Sequence, residues 1–464
     1  MPIATEQLDS LRSTVSSLLT TESAACRRFM VDGVTPSAVV EPTEAAELVE
    51  IVRWARSHHA ALLPVSSGVY LPVGNPPAAA DVAVSLARMN RVAHYDPADL
   101  TLSVQPGMRL RDVQALLAEH RLFLPADPPY ADGAAPAVGP APAIGAALGG
   151  LLATNASGPL RYAYGTWRDF VLGMKFVTGE GQLVKTGGRV VKNVAGYDLA
   201  KLMIGSLGTL AVLTEISFKV FPLPARTATF VAGFRELEAA LALRSRIVHS
   251  VLQPMSIDLL DSAAARLLTS SPALEGADWH LVVSVGGVEP VLHRYEKELS
   301  TRAREANAAS FARLAGEEGQ ALLTGLRNLI PRARETHPGA TIVKCTLPLT
   351  RLGAFIAKAQ QVAGRYQLPA AASAHAGSGI AYIYLGGPEA ATDTTKKMAQ
   401  AATEMVHAGN NLGGRTTIPW CPTEVKRDVN PWGPVRDDFP LMQKLKAQFD
   451  PDRILNPGRF VGGL

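Results

Sequence analysis

The residue types best placed to do chemistry here are main-chain groups held by glycine. Between Ala147 and Pro222 the chain reads Gly149-Gly150-Leu151-Leu152-Ala153-Thr154-Asn155-Ala156-Ser157-Gly158, then Tyr164-Gly165-Thr166-Trp167-Arg168-Asp169. It continues with Lys192-Asn193-Val194-Ala195-Gly196-Tyr197-Asp198 and Gly205-Ser206-Leu207-Gly208-Thr209-Leu210. Glycine beside small residues allows positive φ and a close approach of backbone to ligand. Several such turns in one segment predict amides gathered around a large anion. Spacing alone does not name the anion.

The four ordered blocks resemble the flavin-binding domain of the vanillyl-alcohol oxidase and p-cresol methylhydroxylase superfamily. They are most like its glycolate oxidase and D-lactate dehydrogenase branch, in particular the FAD-binding subunit of glycolate oxidase. In that family an Arg-Gly-Gly-Gly-Thr-like turn holds the flavin pyrophosphate. Here the corresponding turn runs from Ser66 to Pro76, with Gly68, Gly74, Asn75 and Pro76 matching and Ser66 and Ser67 in place of glycines. Serine amides and hydroxyls can still donate to phosphate.

The resemblance therefore implies FAD, held without a covalent bond because the Ser66 to Val69 turn has no histidine or cysteine. The implied contacts are Ser66, Ser67, Gly68, Val69, Gly74, Gly149, Gly150, Ala153, Thr154, Asn155, Gly158, Tyr164, Gly165, Gly208, Thr209, Val212 and Asn456. No Gly-x-Gly-x-x-Gly dinucleotide fingerprint follows a strand.

The same resemblance implies oxidation of a small 2-hydroxy acid such as glycolate or D-lactate. That chemistry needs a cation for the carboxylate and a base for the hydroxyl proton, for which histidine is the first candidate. His375, in Ala374-His375-Ala376-Gly377-Ser378-Gly379-Ile380-Ala381-Tyr382, stands in a run that relatives write His-x-Gly-Asp-Gly-Asn-x-His. Ser378, Ile380 and Tyr382 replace the Asp, Asn and second His, and no Glu-His pair follows near Gly413 to Trp420. One histidine does not make a metal site, so none is expected. Arg327 and Lys344 sit where relatives place substrate-binding cations. Asp169 is expected to hold its loop, and Trp167 to be core.

Composition narrows the field. Hydrophobic residues make up 47% and charged residues 19%, as in a globular protein. A net charge of +4 without dense basic runs argues against nucleic acid as a partner. Cys26, Cys345 and Cys421 form no Cys-x-x-Cys pair, so no iron–sulfur cluster or zinc knuckle is expected in this chain. The first residues show no basic-then-apolar leader, which reads as cytoplasmic, with membrane association only through partner subunits. Gly133 to Leu160 carries no charge but for its length is broken by Pro136, Pro140, Pro142 and Pro159, and its first part reads as a surface loop.

The elements that must carry these residues follow from periodicity. Residues 1–35 read as a helical lead-in. Thr43 is expected to cap a helix with Leu48, Ile51, Val52 and Ala55 inward, and Ala61 to Val65 to form a buried strand. A hairpin is expected over Phe170 to Thr186, a helix over Leu199 to Ile204 and a long strand over Leu210 to Phe221. After Pro224 strands and helices alternate to Leu385, and the tail Asp450-Pro451-Asp452-Arg453-Ile454-Leu455-Asn456-Pro457-Gly458 resembles the branch's ending, expected beside the flavin.

The fold class is thus α+β: a two-subdomain FAD-binding domain of the p-cresol methylhydroxylase type (36–224), a ferredoxin-like α+β cap (225–430) and a returning tail (431–464). Two readings stay open. One is an FAD-dependent 2-hydroxy-acid dehydrogenase working beside a second flavoprotein subunit and an iron–sulfur subunit. The other is an FAD-binding electron-relay or structural subunit without substrate chemistry of its own, with a flavin-free scaffold as its limiting case.

Overall fold

A computed structural model describes residues 4–16, 18–133, 145–189, 196–268, 271–387 and 392–464. Lys192 to Ala195 of the third glycine block, and Pro136, Pro140 and Pro142, lie outside these.

The first sheet contains β1 (Leu18–Thr20), β2 (Ala38–Glu41), β3 (Leu62–Val65) and β4 (Val82–Ser85), in the order β1-β2-β4-β3. β4 runs parallel to β2 and β3, while β1 is antiparallel to β2. The lead-in is therefore not purely helical: after the helix Thr5–Thr14 it adds an edge strand. The helix Ala45–Ser57 buries Leu48, Ile51, Val52 and Ala55 against this sheet, as its 3.6-residue spacing requires. Its N-cap is Glu44 rather than Thr43, whose amide and hydroxyl are taken by the Glu47 carboxylate.

The second sheet contains β5 (Val92–Asp96), β6 (Thr101–Val104), β8 (Val171–Thr178), β9 (Leu183–Gly187) and β10 (Ala211–Lys219), antiparallel in the order β5-β6-β10-β8-β9. A small pair, β7 (Leu122–Phe123) with β11 (Phe221–Pro222), ties the returning loop to the end of β10. The helix Leu148–Thr154 buries Leu148, Leu151 and Leu152 in the core shared with this second sheet.

The third sheet has eight antiparallel strands: β12 (Arg226–Phe234), β13 (Ser256–Asp261), β14 (Trp279–Gly287), β15 (Ser310–Ala315), β16 (Thr341–Thr346), β17 (Ala370–His375), β18 (Ile380–Leu385) and β19 (Arg415–Trp420). Their order, β15-β12-β14-β13-β17-β18-β16-β19, is two ferredoxin-like units set edge to edge. The joint is the short β13–β17 pairing of Leu259 with Ala374 and Leu260 with Ser373. Helices cover one face. The other, carrying Leu260, Tyr382, Tyr384 and Trp420, shares a core with Tyr70, Tyr130, Leu151 and Leu207 of the first domain. The cap is thus closed onto the glycine-bearing turns by burial of large apolar and aromatic groups. Among the described residues no helix is long and apolar enough to cross a membrane.

Candidate functional site

β3 delivers the chain into the Ser66 turn. Gly68 (φ +79°) and Gly74 (φ +97°) occupy conformations that side-chain-bearing residues avoid, and a Cβ on Gly74 would lie 2.7 Å from the Arg459 carbonyl. Ser66 Oγ accepts the Gly150 amide at 2.9 Å and Ser67 Oγ accepts the Ala147 amide at 3.1 Å. The serines that replace glycines thus stitch the turn to the start of the Leu148–Thr154 helix. Each hydroxyl keeps its own proton to donate outward, so the amide's donor character is passed on to the hydroxyl. The amides of Gly68, Val69 and Tyr70 have no acceptor among the described residues.

The next block continues the same seam. Asn155 ends the helix in the left-handed conformation (φ 50°), with its Oδ1 buried and without a donor. The Gly205 and Leu207 amides bond the Leu152 and Ala153 carbonyls, each at 2.8 Å, which brings the fourth block alongside. The tail packs on the same seam: the Asn456 amide donates to the Leu62 carbonyl, and its Nδ2 donates to the Leu207 carbonyl at 2.6 Å. Asn456 Oδ1 is also buried without a donor. Lys446 Nζ pins this return, donating to the carbonyls of Thr209 and Leu455 and to Asp450 Oδ2.

Some expected contacts spend their side chains elsewhere. The Tyr164 ring packs edge-on against Phe123 and Phe221. Gly165 makes room for Asp169, whose carboxylate caps the Thr166 amide. The Thr154 hydroxyl bonds back to the Gly150 carbonyl, that of Thr209 bonds to Ser206, and Val212 packs in the core with Leu62 and Val177. Gly158 is required by space, since a Cβ there would fall 1.9 Å from the Asp127 carbonyl oxygen. Trp167 is core, 1% exposed, and donates to the Ala156 carbonyl.

The cap supplies the second half. His375, last residue of β17, places Nδ1 2.8 Å from Asp258 Oδ1 on β13. The two strands become neighbours only through the joint between the ferredoxin-like units. His375 and Asp258 line a small cavity with Ser157, Gly158, Arg327, Ser373, Tyr382 and Tyr384, of about 20 Å³, room for one water. Arg327 reaches this cavity but pairs with Asp132, leaving its Nε buried without an acceptor. Lys344 does not line it: paired across β16–β18 with Tyr382, its Nζ lies 5.9 Å from that ring's centroid.

Burial dominates the electrostatics. It pushes the Lys344 ammonium down to about 8, helped by nearby Arg161. It raises the Asp127 carboxyl to about 8 and the Tyr382 phenol to about 12. A cluster of shifted groups beside a cavity is what an active site produces. Sequence reasoning missed Asp258, Asp127 and Arg161. Asp258 could have been flagged, because a charge amid Ser256-Ile257-Asp258-Leu259-Leu260, a strand buried on both faces, needs a partner.

The described residues fit a flavin dinucleotide. Amides without acceptors at Gly68 to Tyr70 suit phosphate oxygens, and the orphaned Asn155 and Asn456 carbonyl oxygens suit the N–H and O–H donors of a nucleotide.

Comparison with known proteins agrees. Residues 36–187 match the FAD binding domain, and residues 223–460 match the C-terminal domain of FAD linked oxidases. The chain is 27% identical over 434 residues to glycolate oxidase subunit GlcD of Bacillus subtilis, covering 91% of this chain and 88% of that one. It is 26% identical to the mitochondrial D-lactate dehydrogenase [cytochrome] of Arabidopsis thaliana, covering 92% and 73%. p-Cresol methylhydroxylase with substrate bound superposes with a TM-score of 0.75 at 16% identity, over 99% and 98% of the chains. Alkyldihydroxyacetonephosphate synthase gives 0.73 at 17%, over 98% and 85%. The chain therefore belongs to the FAD linked oxidases, with FAD as its cofactor, and has the fold of p-cresol methylhydroxylase.

Proposed function

We propose that this protein oxidises a small 2-hydroxy acid of the glycolate or D-lactate type, as one subunit of a glycolate-oxidase-like assembly. The observation that carries the reading is the Asp258–His375 pair beside Ser157 and Gly158 of the flavin-binding run. With Nδ1–H committed to Asp258, Nε2 is the nitrogen that takes the hydroxyl proton, and the Asp258 carboxylate stabilises the imidazolium so formed. Arg327, in the cavity wall, is the cation for the substrate carboxylate, with Lys344, outside the lining and beside the Tyr382 ring, as a second positive charge. Bound FAD supplies the two-electron acceptor. Ser66, Ser67, Gly68, Val69, Gly74, Gly149, Gly150, Asn155, Gly208 and Asn456 would hold it without a covalent bond. The assembly would add a second flavoprotein and an iron–sulfur subunit, to which electrons leave, with this chain in the cytoplasm. The proposed division is 36–224 for FAD, 225–430 for the cap and 431–464 for the returning tail.

A specific observation favours the second reading, an FAD-binding relay or structural subunit. The cavity at His375 has room for only about one water, and the Arg327 charge is already met by Asp132. Anaerobic addition of glycolate or D-lactate to the isolated yellow chain separates the two. Bleaching without partners removes the subunit-only reading, whereas bleaching only after partner subunits are added removes the stand-alone one. His375→Asn should abolish bleaching while the colour stays, and unchanged bleaching takes His375 out of the site.

A further inference from the structure

Behind the phosphate turn lies a second layer of charge. Lys426 Nζ is 2.8 Å from Asp32 Oδ2, Arg459 Nη1 is 3.9 Å from the same oxygen, and the side chains are 0%, 6% and 2% exposed for Lys426, Asp32 and Arg459. The Thr423 hydroxyl donates to Asp32 Oδ1 at 3.0 Å. Two cations share one carboxylate, so the cluster keeps an excess positive charge. Apart from Arg459 Nε, which is buried without an acceptor, its remaining hydrogen bonds go to one stretch of backbone. Arg459 holds the carbonyls of Leu71, Val73 and Asn75 at 2.6, 2.8 and 3.0 Å, and Lys426 holds that of Pro72 at 2.5 Å.

We propose that Asp32, Lys426 and Arg459 are positioning residues for the cofactor, a buried net-positive cluster that sets the turn to receive the dinucleotide's diphosphate. A peptide group is planar, with its N–H opposite its C=O. Carbonyls drawn back onto cations therefore turn the intervening Gly74 amide, which has no acceptor among the described residues, toward the other side. Four carbonyls fixed between Leu71 and Asn75 also keep the Gly68 to Tyr70 end from relaxing. The uncompensated charge adds a field that favours an anion on the far face, screened less than a surface charge because the three side chains are buried. The three members come from the lead-in, the cap and the tail, so the turn is set only once all three have docked. This inference rests on FAD occupying the turn and not on hydroxy-acid oxidation.

The test is FAD affinity of the full-length apo-protein, read by quenching of flavin fluorescence, with a melting temperature for each variant. A unit charge acting over about 10 Å at an effective dielectric of about 20 changes an anion's affinity roughly tenfold. Arg459→Met and Lys426→Met should each weaken FAD by about that factor. Asp32→Asn, which adds to the excess charge, should tighten FAD even as its melting temperature falls. A purely structural role would weaken FAD in all three, in step with lost stability. Asp32→Asn weakening FAD, or both cation variants binding within about twofold of the natural chain, overturns the proposal. Should Arg459→Met fail to fold, the opposite signs expected for Lys426→Met and Asp32→Asn still decide. A natural chain that takes up no FAD sinks the cofactor assignment itself, a different result from equal affinities.

Discussion

Replacing Asp127 by asparagine should remove a pH dependence from the stability of this protein. Asp127 lies beneath the Ser157–Gly158 wall, with both carboxyl oxygens 3.1 Å from the Leu160 amide. Burial pushes its pKa from the ordinary 3.8 up to about 8, against the pull of Arg327 and the Leu160 bond. A carboxyl whose folded pKa is raised adds stability in full below its unfolded pKa and loses it as pH rises through the folded one. Between about pH 4 and pH 8 the folded chain keeps a proton that the unfolded chain has released, so stability falls by up to about 1.4 kcal/mol per unit. Over the window this amounts to at most about 6 kcal/mol, complete above about pH 8. Asparagine cannot ionise but still offers Leu160 an acceptor. Urea unfolding of natural chain and variant at pH 5 and pH 8.5, followed by circular dichroism, should show Asp127→Asn gaining about 3–5 kcal/mol relative to the natural chain at the higher pH. Parallel behaviour at both pH values would mean that Asp127 is ionised in the folded protein, and the account of that wall would be wrong.

Other expectations follow from single contacts. Asp258→Asn should keep flavin colour but slow anaerobic reduction by a hydroxy acid by about a hundredfold or more, because the imidazolium loses its counter-charge; stopped-flow bleaching at the natural rate would show that the pair is only architectural. Lys446→Met leaves Asp450 buried without its cation and should cost about 3–5 kcal/mol, with faster amide exchange over residues 450–459; unchanged exchange would refute the latch. Gly158→Ala forces a Cβ onto the Asp127 carbonyl and should destabilise by roughly 3 kcal/mol or more, seen as a lowered unfolding midpoint. Heat-denatured protein should leave its yellow colour in the supernatant; colour in the pellet would mean a covalent flavin.

Much of the fold was legible because local rules and tertiary demands agreed. The helix Ala45–Ser57 and the hairpin β8–β9 carry periodicities that only one burial pattern satisfies. β1 was missed: Leu18–Thr20 is too short to show alternation, and only pairing with β2 makes it a strand. Thr43 looked like a cap by residue type, yet its hydroxyl is turned to the Glu47 carboxylate and the helix starts one residue later.

Glycine runs, a histidine and two cations are written in the linear order, because backbone freedom and proton affinity are properties of residue type. Which groups meet is not. His375 finds Asp258 across 117 positions, and Arg459 reaches the Leu71 carbonyl across 388. Those encounters depend on a strand joint and a docked tail, which arise only when distant apolar faces are buried together. The same burial sets the charge states: Asp127 and Lys344 are ordinary groups in the chain, and only exclusion of water in the folded protein brings both near 8.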